Sequence, residues 1–348
     1  MFRIIYSVNN DYIPYLYVCL KSLISHIKNE DMYSIYVLYT DVSELNKENI
    51  KKLQQKNVKI FFIDVNPFFN DEIKKSFVVN TIFTPETYYR FFLPKIFPDV
   101  DKALYMDADT LVLHDISSLF KLDIENYYIA ATNDYEIIRV FNSCGKVDES
   151  FKDYFVNILK IDSEKYFQAG VMLVNLKKMR QDNITDELLS CLKRIKKPRY
   201  VDQDILNVVC QNNVKYIPIK WDYMWHIPIT DIEYKNHLPQ KYIKMYLNTG
   251  CAPWIVHFTG IKPTEYVNMK YAKMFCKYLQ NSPYQSWLDN KLVANDKKQK
   301  SLIELYKAKI RKYILLKVLT LGFCNKKYNK KIQNRKNDLN KIYEYCIK

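Results

Sequence analysis

Apolar and polar residues follow one another along this chain in blocks that fit strands and helices in turn. Residues 3–8 read as a buried strand that stops at Asn9, Asn10 and Asp11. Leu16, Cys19, Leu20, Leu23, Ile24 and Ile27 then recur at helical spacing. Residues 33–39 form a second strand, and Ser43 caps a helix with Leu45, Ile50 and Leu53 on its apolar face. A third strand spans 58–65. Strand, helix, strand, helix, strand at this spacing predicts a parallel sheet covered by helices. Further strands are expected at 103–106, 127–132, 167–175, 214–219 and 255–263, with helices at 201–207 and 269–279. Thr84-Pro85-Glu86 reads as a helix start leading into Thr87-Tyr88-Tyr89-Arg90-Phe91-Phe92-Leu93.

The strand at 103–106 runs straight into Asp107-Ala108-Asp109. In extended backbone, i and i+2 project to the same side, so two carboxylates converge at the mouth of a buried strand. Such a pair is either a solvated turn or a site for a hard divalent cation. Ligands in open α/β sheets sit at the carboxyl ends of strands, where this pair falls. Arg90 is a lone cation among aromatic residues, either snorkelling to solvent or directed at that site. Ala169-Gly170 at a strand mouth marks close approach by a ligand or backbone. Asp202 fits a helix N-cap, and His257 within an apolar run fits either a core histidine or a ligand. No Gly-x-Gly-x-x-Gly or Walker loop occurs, so no glycine-rich loop cradles phosphates.

Composition adds location more than chemistry. The chain has 348 residues, 48% hydrophobic and 15% aromatic, which excludes disorder. The net charge is +15, yet residues 291–348 hold 17 Lys or Arg against 4 Asp or Glu, so the first 290 residues carry only +2. Two parts are expected: a body at 1–290 and a basic tail at 291–348. In the tail, Leu302, Ile303, Leu305, Tyr306, Ile310, Tyr313, Ile314, Leu316, Leu319 and Leu321 interleave with Lys and Arg, the pattern of an amphipathic membrane-surface helix. Eight dispersed cysteines without a Cys-x-x-Cys pair fit reduced thiols in a cytoplasmic protein. No signal peptide and no membrane-spanning stretch is read.

Taken in order, these segments resemble glycosyltransferase family eight, the retaining bacterial sugar transferases of lipopolysaccharide outer core, with glycogenin as a relative. The resemblance covers about residues 2–265. Asp107-Ala108-Asp109 is similar to the family's metal-binding Asp-x-Asp, and Arg90 to the arginine that reaches the donor. Ala169-Gly170 with Asn175 resembles the Asn-Ala-Gly segment ending in Asn-Leu, and Asp202-Gln203-Asp204-Ile205-Leu206-Asn207 the element beside the reacting sugar carbon. His257 and Gly260 match a His-x-x-Gly whose histidine is the third metal ligand, followed by Lys262-Pro263 as a phosphate-binding pair.

The resemblance implies an α/β fold of GT-A type: one Rossmann-like nucleotide-sugar-binding domain with a mostly parallel mixed sheet and helices on both faces, plus a basic helical tail. It implies a metal held by Asp107, Asp109 and His257, with Gln203 and Asp202 catalytic. Donor contacts are expected from Ser7, Asn9, Asp11, Arg90, Asp107, Ala108, Asp109, Asp134, Gln168, Ala169, Gly170, Asp204, Gly260 and Lys262. The cofactor it implies is Mn²⁺ or Mg²⁺, with a UDP-hexose expected as donor and a saccharide or lipid-linked glycan as acceptor. No nucleic acid partner is expected. The tail is expected to hold the protein on an anionic membrane surface, peripheral on the inner face of the cell membrane. The chain departs from the family pattern at Asn9-Asn10-Asp11, where Asp-Asp-Asn is usual, at Gln168, where Asn is usual, and at Thr264, where Trp follows the Pro. The rival classes are a metal-dependent phosphohydrolase and a polyanion-binding protein.

Overall fold

The structure, a computed structural model, describes residues 1–28, 30–79, 84–142, 149–225, 238–250, 252–319 and 325–345. The chain divides into two compact units, Met1–His257 and Phe258–Lys348.

In the first unit, β1 (Phe2–Ser7), β2 (Tyr33–Tyr39), β3 (Val58–Asp64), β4 (Lys102–Met106), β6 (Ile129–Ala131), β7 (Val171–Asn175) and β8 (Val214–Tyr216) make a sheet in the order β3-β2-β1-β4-β7-β6-β8. The first four of these are parallel; β7 runs antiparallel to both β4 and β6. Central strands bury both faces and so read as continuous apolar runs. Ile4, Ile5 and Tyr6 of β1 and Ala103 to Met106 of β4 are fully buried. The outer strand β3 instead alternates, with Val58 and Ile60 buried and Lys59 and Phe61 exposed. A second sheet has the order β5-β10-β9, from β5 (Thr110–Val112), β10 (Ile255–His257) and β9 (Tyr223–Met224).

Two registers bring the sheets to one point. Met106, the last residue of β4, lies opposite Val171, the first of β7, and the Asp107 N–H donates to the Gly170 carbonyl at 2.7 Å. Thr110, the first residue of β5, lies opposite His257, the last of β10. The short Asp107–Asp109 turn therefore has Gly170 on one side and His257 on the other.

Several elements differ from expectation. Pro85–Phe92 is a 3-10 helix, and Thr84 makes no side-chain cap. The expected strand at 167–175 is interrupted. Phe167 makes an isolated antiparallel bridge to Asn133 while its N–H and carbonyl bond Asn207 at 2.8 and 2.9 Å. The regular strand starts only at Val171, after the Ala169 and Gly170 N–H groups have gone to the side chains of Gln203 and Gln168. The 255–263 strand ends at His257. Ser43 does cap its helix, accepting from the Asn46 N–H at 3.3 Å, while Leu45 is 66% exposed. Cys19, Cys191 and Cys210 are buried free thiols; Cys144, Cys251, Cys324 and Cys346 lie outside the described residues, as do His226, His237 and Leu321.

In the second unit, helix Gln285–Leu319 runs through position 291, and its Asn295 and Gln299 donate to the carbonyls of Thr264 and Glu265 at 2.9 and 3.0 Å. Helix Asn325–Tyr345 packs along it in the opposite sense: Tyr313 meets Tyr328 and Lys331, and Tyr306 meets Arg335. The tail is thus a helical hairpin. Leu305 and Ile314, 46% and 47% exposed, are nine residues apart and face opposite sides of an α-helix. The exposed apolar side chains therefore do not form the single stripe expected of a lone amphipathic helix. Among the described residues no helix is long and apolar enough to cross a membrane.

Candidate active site

Asp107, Asp109 and His257 each offer a ligand atom within 4.8 Å of the others. His257 Nε2 lies 3.3 Å from Asp109 Oδ1 and 3.7 Å from Asp107 Oδ2. Two carboxylates and one imidazole at the carboxyl end of a strand are a donor set that suits Mn²⁺, with Mg²⁺ as the harder alternative. His257 is buried. Burial alone would lower its pKa, yet Asp222 and Asp109 outweigh it and hold the imidazole proton up to about 10.

Arg90 is buried, not snorkelling. The three-residue pitch of the 3-10 helix sets Thr87 one turn below it, so Arg90 Nε donates to the Thr87 carbonyl at 3.0 Å. Its guanidinium reaches Asp107 Oδ1 at 2.9 Å, Asp202 Oδ2 at 3.1 Å and the Ala169 carbonyl at 2.6 Å, and it lies 4.4 Å from the centre of the Tyr105 ring. Two carboxylates overcome burial and raise its pKa further. This is a fixed, always-charged cation.

Asp202 is no N-cap; that place falls to Tyr200, and Asp202 instead accepts from the Thr87 hydroxyl. Burial pushes Asp202 up to about 6, against the pull of Arg90. The helix Val201–Cys210 is entered at Val201 with φ 37°, a left-handed conformation that costs a β-branched residue of order 1–3 kcal/mol. Next to this strain, Gln203 is pinned at both ends of its amide. Its Oε1 accepts the Ala169 N–H at 3.0 Å and its Nε2 donates to Asp134 Oδ2 at 2.9 Å. Asp134 also caps helix Tyr135–Phe141 through the Ile137 N–H, and burial raises it to about 6.

Gln168 is buried, and its amide oxygen accepts from the Gly170 N–H, folding back on its own turn. Gly170 is required by contact: a Cβ there would stand 2.1 Å from His257 Cε1. Asn9 caps the turn Asn10–Tyr12 and donates to Glu86 Oε2 at 3.4 Å, while Asp11 is exposed. Ser7 ends β1 and Ala108 is buried within the Asp107–Asp109 turn. Asp204 is not brought to the cluster. Fully buried, it accepts from the hydroxyls of Tyr154 and Tyr166 and from the Tyr200 N–H, so it braces the helix start. Gly260 and Lys262 belong to the second unit, where Gly260 has φ 67° and Lys262 Nζ donates to the Phe258 carbonyl at 3.3 Å.

Glu86 and Asp222 escaped the sequence reading. Asp222 had a signal: a single acid inside Trp221-Asp222-Tyr223-Met224-Trp225, where an unpaired charge would be costly.

This arrangement has counterparts. The chain is 31% identical to a putative glycosyltransferase of Haemophilus influenzae over 64% of its own length and 63% of that protein's. It is 25% identical to a lipopolysaccharide 1,2-glucosyltransferase of Escherichia coli, over 82% of this chain and 80% of that one. The apo structure of the bifunctional glycosyltransferase WbbM superposes with a TM-score of 0.72 at 27% identity, over 84% of this chain and 52% of the other. The chain thus spans less than two thirds of the Haemophilus protein and about half of WbbM. The α/β fold is of the expected GT-A type. With its model matching residues 3–266, the chain belongs to glycosyl transferase family 8.

Proposed function

We propose that the protein is a metal-dependent, retaining hexosyltransferase that moves glucose or galactose from a UDP-sugar to a glycan or lipid-linked saccharide. The observation that carries this reading is the convergence of Asp107, Asp109 and His257 beside a buried arginine and a doubly pinned glutamine. The name of the Escherichia coli relative supports lipopolysaccharide, or another cell-surface glycan, as the setting. Among the described residues there is one metal-competent cluster, whereas a two-metal phosphohydrolase needs a second set of ligands.

When bound, the divalent cation supplies Lewis-acid stabilisation of the departing diphosphate. The protein's own groups do the rest. Arg90, clamped before the donor arrives, presents positive charge without reorganising. Ala169 and Gly170 keep side-chain bulk away from the turn, so backbone can approach the sugar. In this reading Asp134 accepts a sugar hydroxyl, whereas the oxygens of Asp204, the other acceptor expected, are already held by Tyr154, Tyr166 and the Tyr200 N–H. The anomeric carbon becomes oxocarbenium-like as the bond to phosphate breaks. Gln203 offers that carbon only an amide, a poor nucleophile. Retention then follows from front-face attack, the acceptor hydroxyl giving its proton to the leaving phosphate oxygen. Asp202 and Gln203 hold and polarise the sugar meanwhile. We also place the basic hairpin at an anionic membrane surface, an attraction that rests on charge more than on apolar burial.

A panel of UDP-sugars incubated with Mn²⁺ and no acceptor tests this. One UDP-hexose should be hydrolysed, EDTA should stop the reaction, and the hexose should first appear as the anomer present in the donor. EDTA-insensitive turnover, or hydrolysis of p-nitrophenyl phosphate in place of every UDP-sugar, would contradict it.

A further inference from the structure

Asp222 is 1% exposed and sits between the turn Ile219–Trp221 and β9. Its Oδ1 lies 3.0 Å from His257 Nδ1, and its Oδ2 is buried with no hydrogen-bond partner. A buried carboxylate with one oxygen unsatisfied is costly to fold, and burial raises its pKa. A carboxylate kept there in spite of that cost has its use in what it does to His257.

We propose that Asp222 is the positioning residue of the metal site, holding the His257 imidazole so that Nε2 faces Asp107 and Asp109. Three independent features fix the ring. The parallel pairing of β10 with β9 puts His257 opposite Met224, two residues beyond Asp222. The hydrogen bond to Asp222 occupies Nδ1, which leaves Nε2 as the ligating nitrogen, 3.3 Å from Asp109 and 3.7 Å from Asp107. On the side of Gly170, a Cβ would lie 2.1 Å from Cε1 and 2.7 Å from Nδ1, so the ring rests where only glycine allows it. Rotating the imidazole out of this slot would break the Asp222 bond and remove Nε2 from the carboxylates together.

The inference rests on the metal reading of the site, and the experiment separates the two. Mn²⁺ is titrated into full-length protein with and without UDP, and free Mn²⁺ is read by electron paramagnetic resonance, with no turnover involved. Asp222→Ala is expected to weaken Mn²⁺ about 10- to 100-fold, as loss of an outer-shell partner does. Asp222→Asn, whose amide oxygen can still accept from Nδ1–H, should fall between that and wild type. Gly170→Ala should weaken binding with Asp222 intact. At saturating Mn²⁺, pulsed spectra of wild type should show directly bound nitrogen, and Asp222→Ala should lose it. A merely structural carboxylate would not change that nitrogen coupling. If Asp222→Ala does not fold by circular dichroism, Asp222→Asn decides by the same two readouts. Wild-type affinity and nitrogen coupling in the Asp222 variants would overturn the positioning role alone. Failure of the wild type to bind Mn²⁺ under either condition would overturn the metal reading and this inference with it.

Discussion

Asp134 shows how a single buried carboxylate here costs stability. Burial first, eased by the Ile137 N–H and Gln203, leaves its folded-state pKa at about 6, above the ~3.9 of an unfolded aspartate. The native chain therefore binds more protons than the unfolded one between about pH 4 and 6, and this group's contribution to stability falls as pH rises through that window. The gap corresponds to about 3 kcal/mol. Asp134→Asn abolishes the titration, so wild type should lose about that much stability relative to the variant between pH 4 and 7 in urea denaturation. A difference independent of pH would contradict the buried-carboxylate account. At Gln168 the amide oxygen closes a turn onto Gly170. Gln168→Asn would close the same kind of turn with one methylene less and withdraw the amide from the sugar side. The ratio of UDP-glucose to UDP-galactose turnover should then change by about fivefold or more, the worth of a buried polar contact. An unchanged ratio would mean that residue 168 does not touch the sugar.

Among the elements, the 3-10 helix Pro85–Phe92 does what an α-helix would not. Its pitch stacks Thr87 under Arg90, and Thr87 ties both Arg90 and Asp202 together. Thr87→Val keeps the shape and removes the hydroxyl, and should cost about 1.5–3 kcal/mol, the value of a hydrogen bond to a charged group. Unchanged stability in chemical denaturation would mean the hydroxyl holds nothing. Sequence reading found the strands wherever burial imposed a long apolar run: 33–39 was read to the residue, and 103–106 missed one end residue of β4. It failed where side chains override the backbone's own preference. In the 167–175 run Phe167 still bridges Asn133 beyond the end of β6, but side chains interrupt the ladder after it: the Ala169 N–H goes to Gln203 and the Gly170 N–H to Gln168. The site was legible where two chemical groups sit close in sequence, as Asp107 and Asp109 do. It was illegible where sheet register supplies the partner, as β9 supplies Asp222 to His257. Nor could sequence show the partners of Asp204, whose oxygens accept from two tyrosine hydroxyls and a backbone N–H.

Across the whole molecule, charge is divided between a nearly neutral first 290 residues and a tail with a surplus of 13 positive charges. The hairpin packs part of its apolar surface against itself, so the membrane attachment proposed for it would rest on Lys and Arg, each worth roughly 1 kcal/mol near an anionic leaflet. Full-length protein should sediment with anionic vesicles at low salt and be released as salt screens the charges. Lys312→Glu with Lys317→Glu, on the helix Gln285–Leu319, should shift the salt midpoint downward. Binding to neutral vesicles at high salt would contradict a charge-driven surface. The central claim, that Asp107, Asp109 and His257 hold the cation that drives UDP-hexose cleavage, is tested most directly by Mn²⁺-dependent UDP release. Asp107→Ala, Asp109→Ala and His257→Ala, each folded by circular dichroism, should each lose about 100-fold or more of that activity. Full activity in any one of the three would contradict the account.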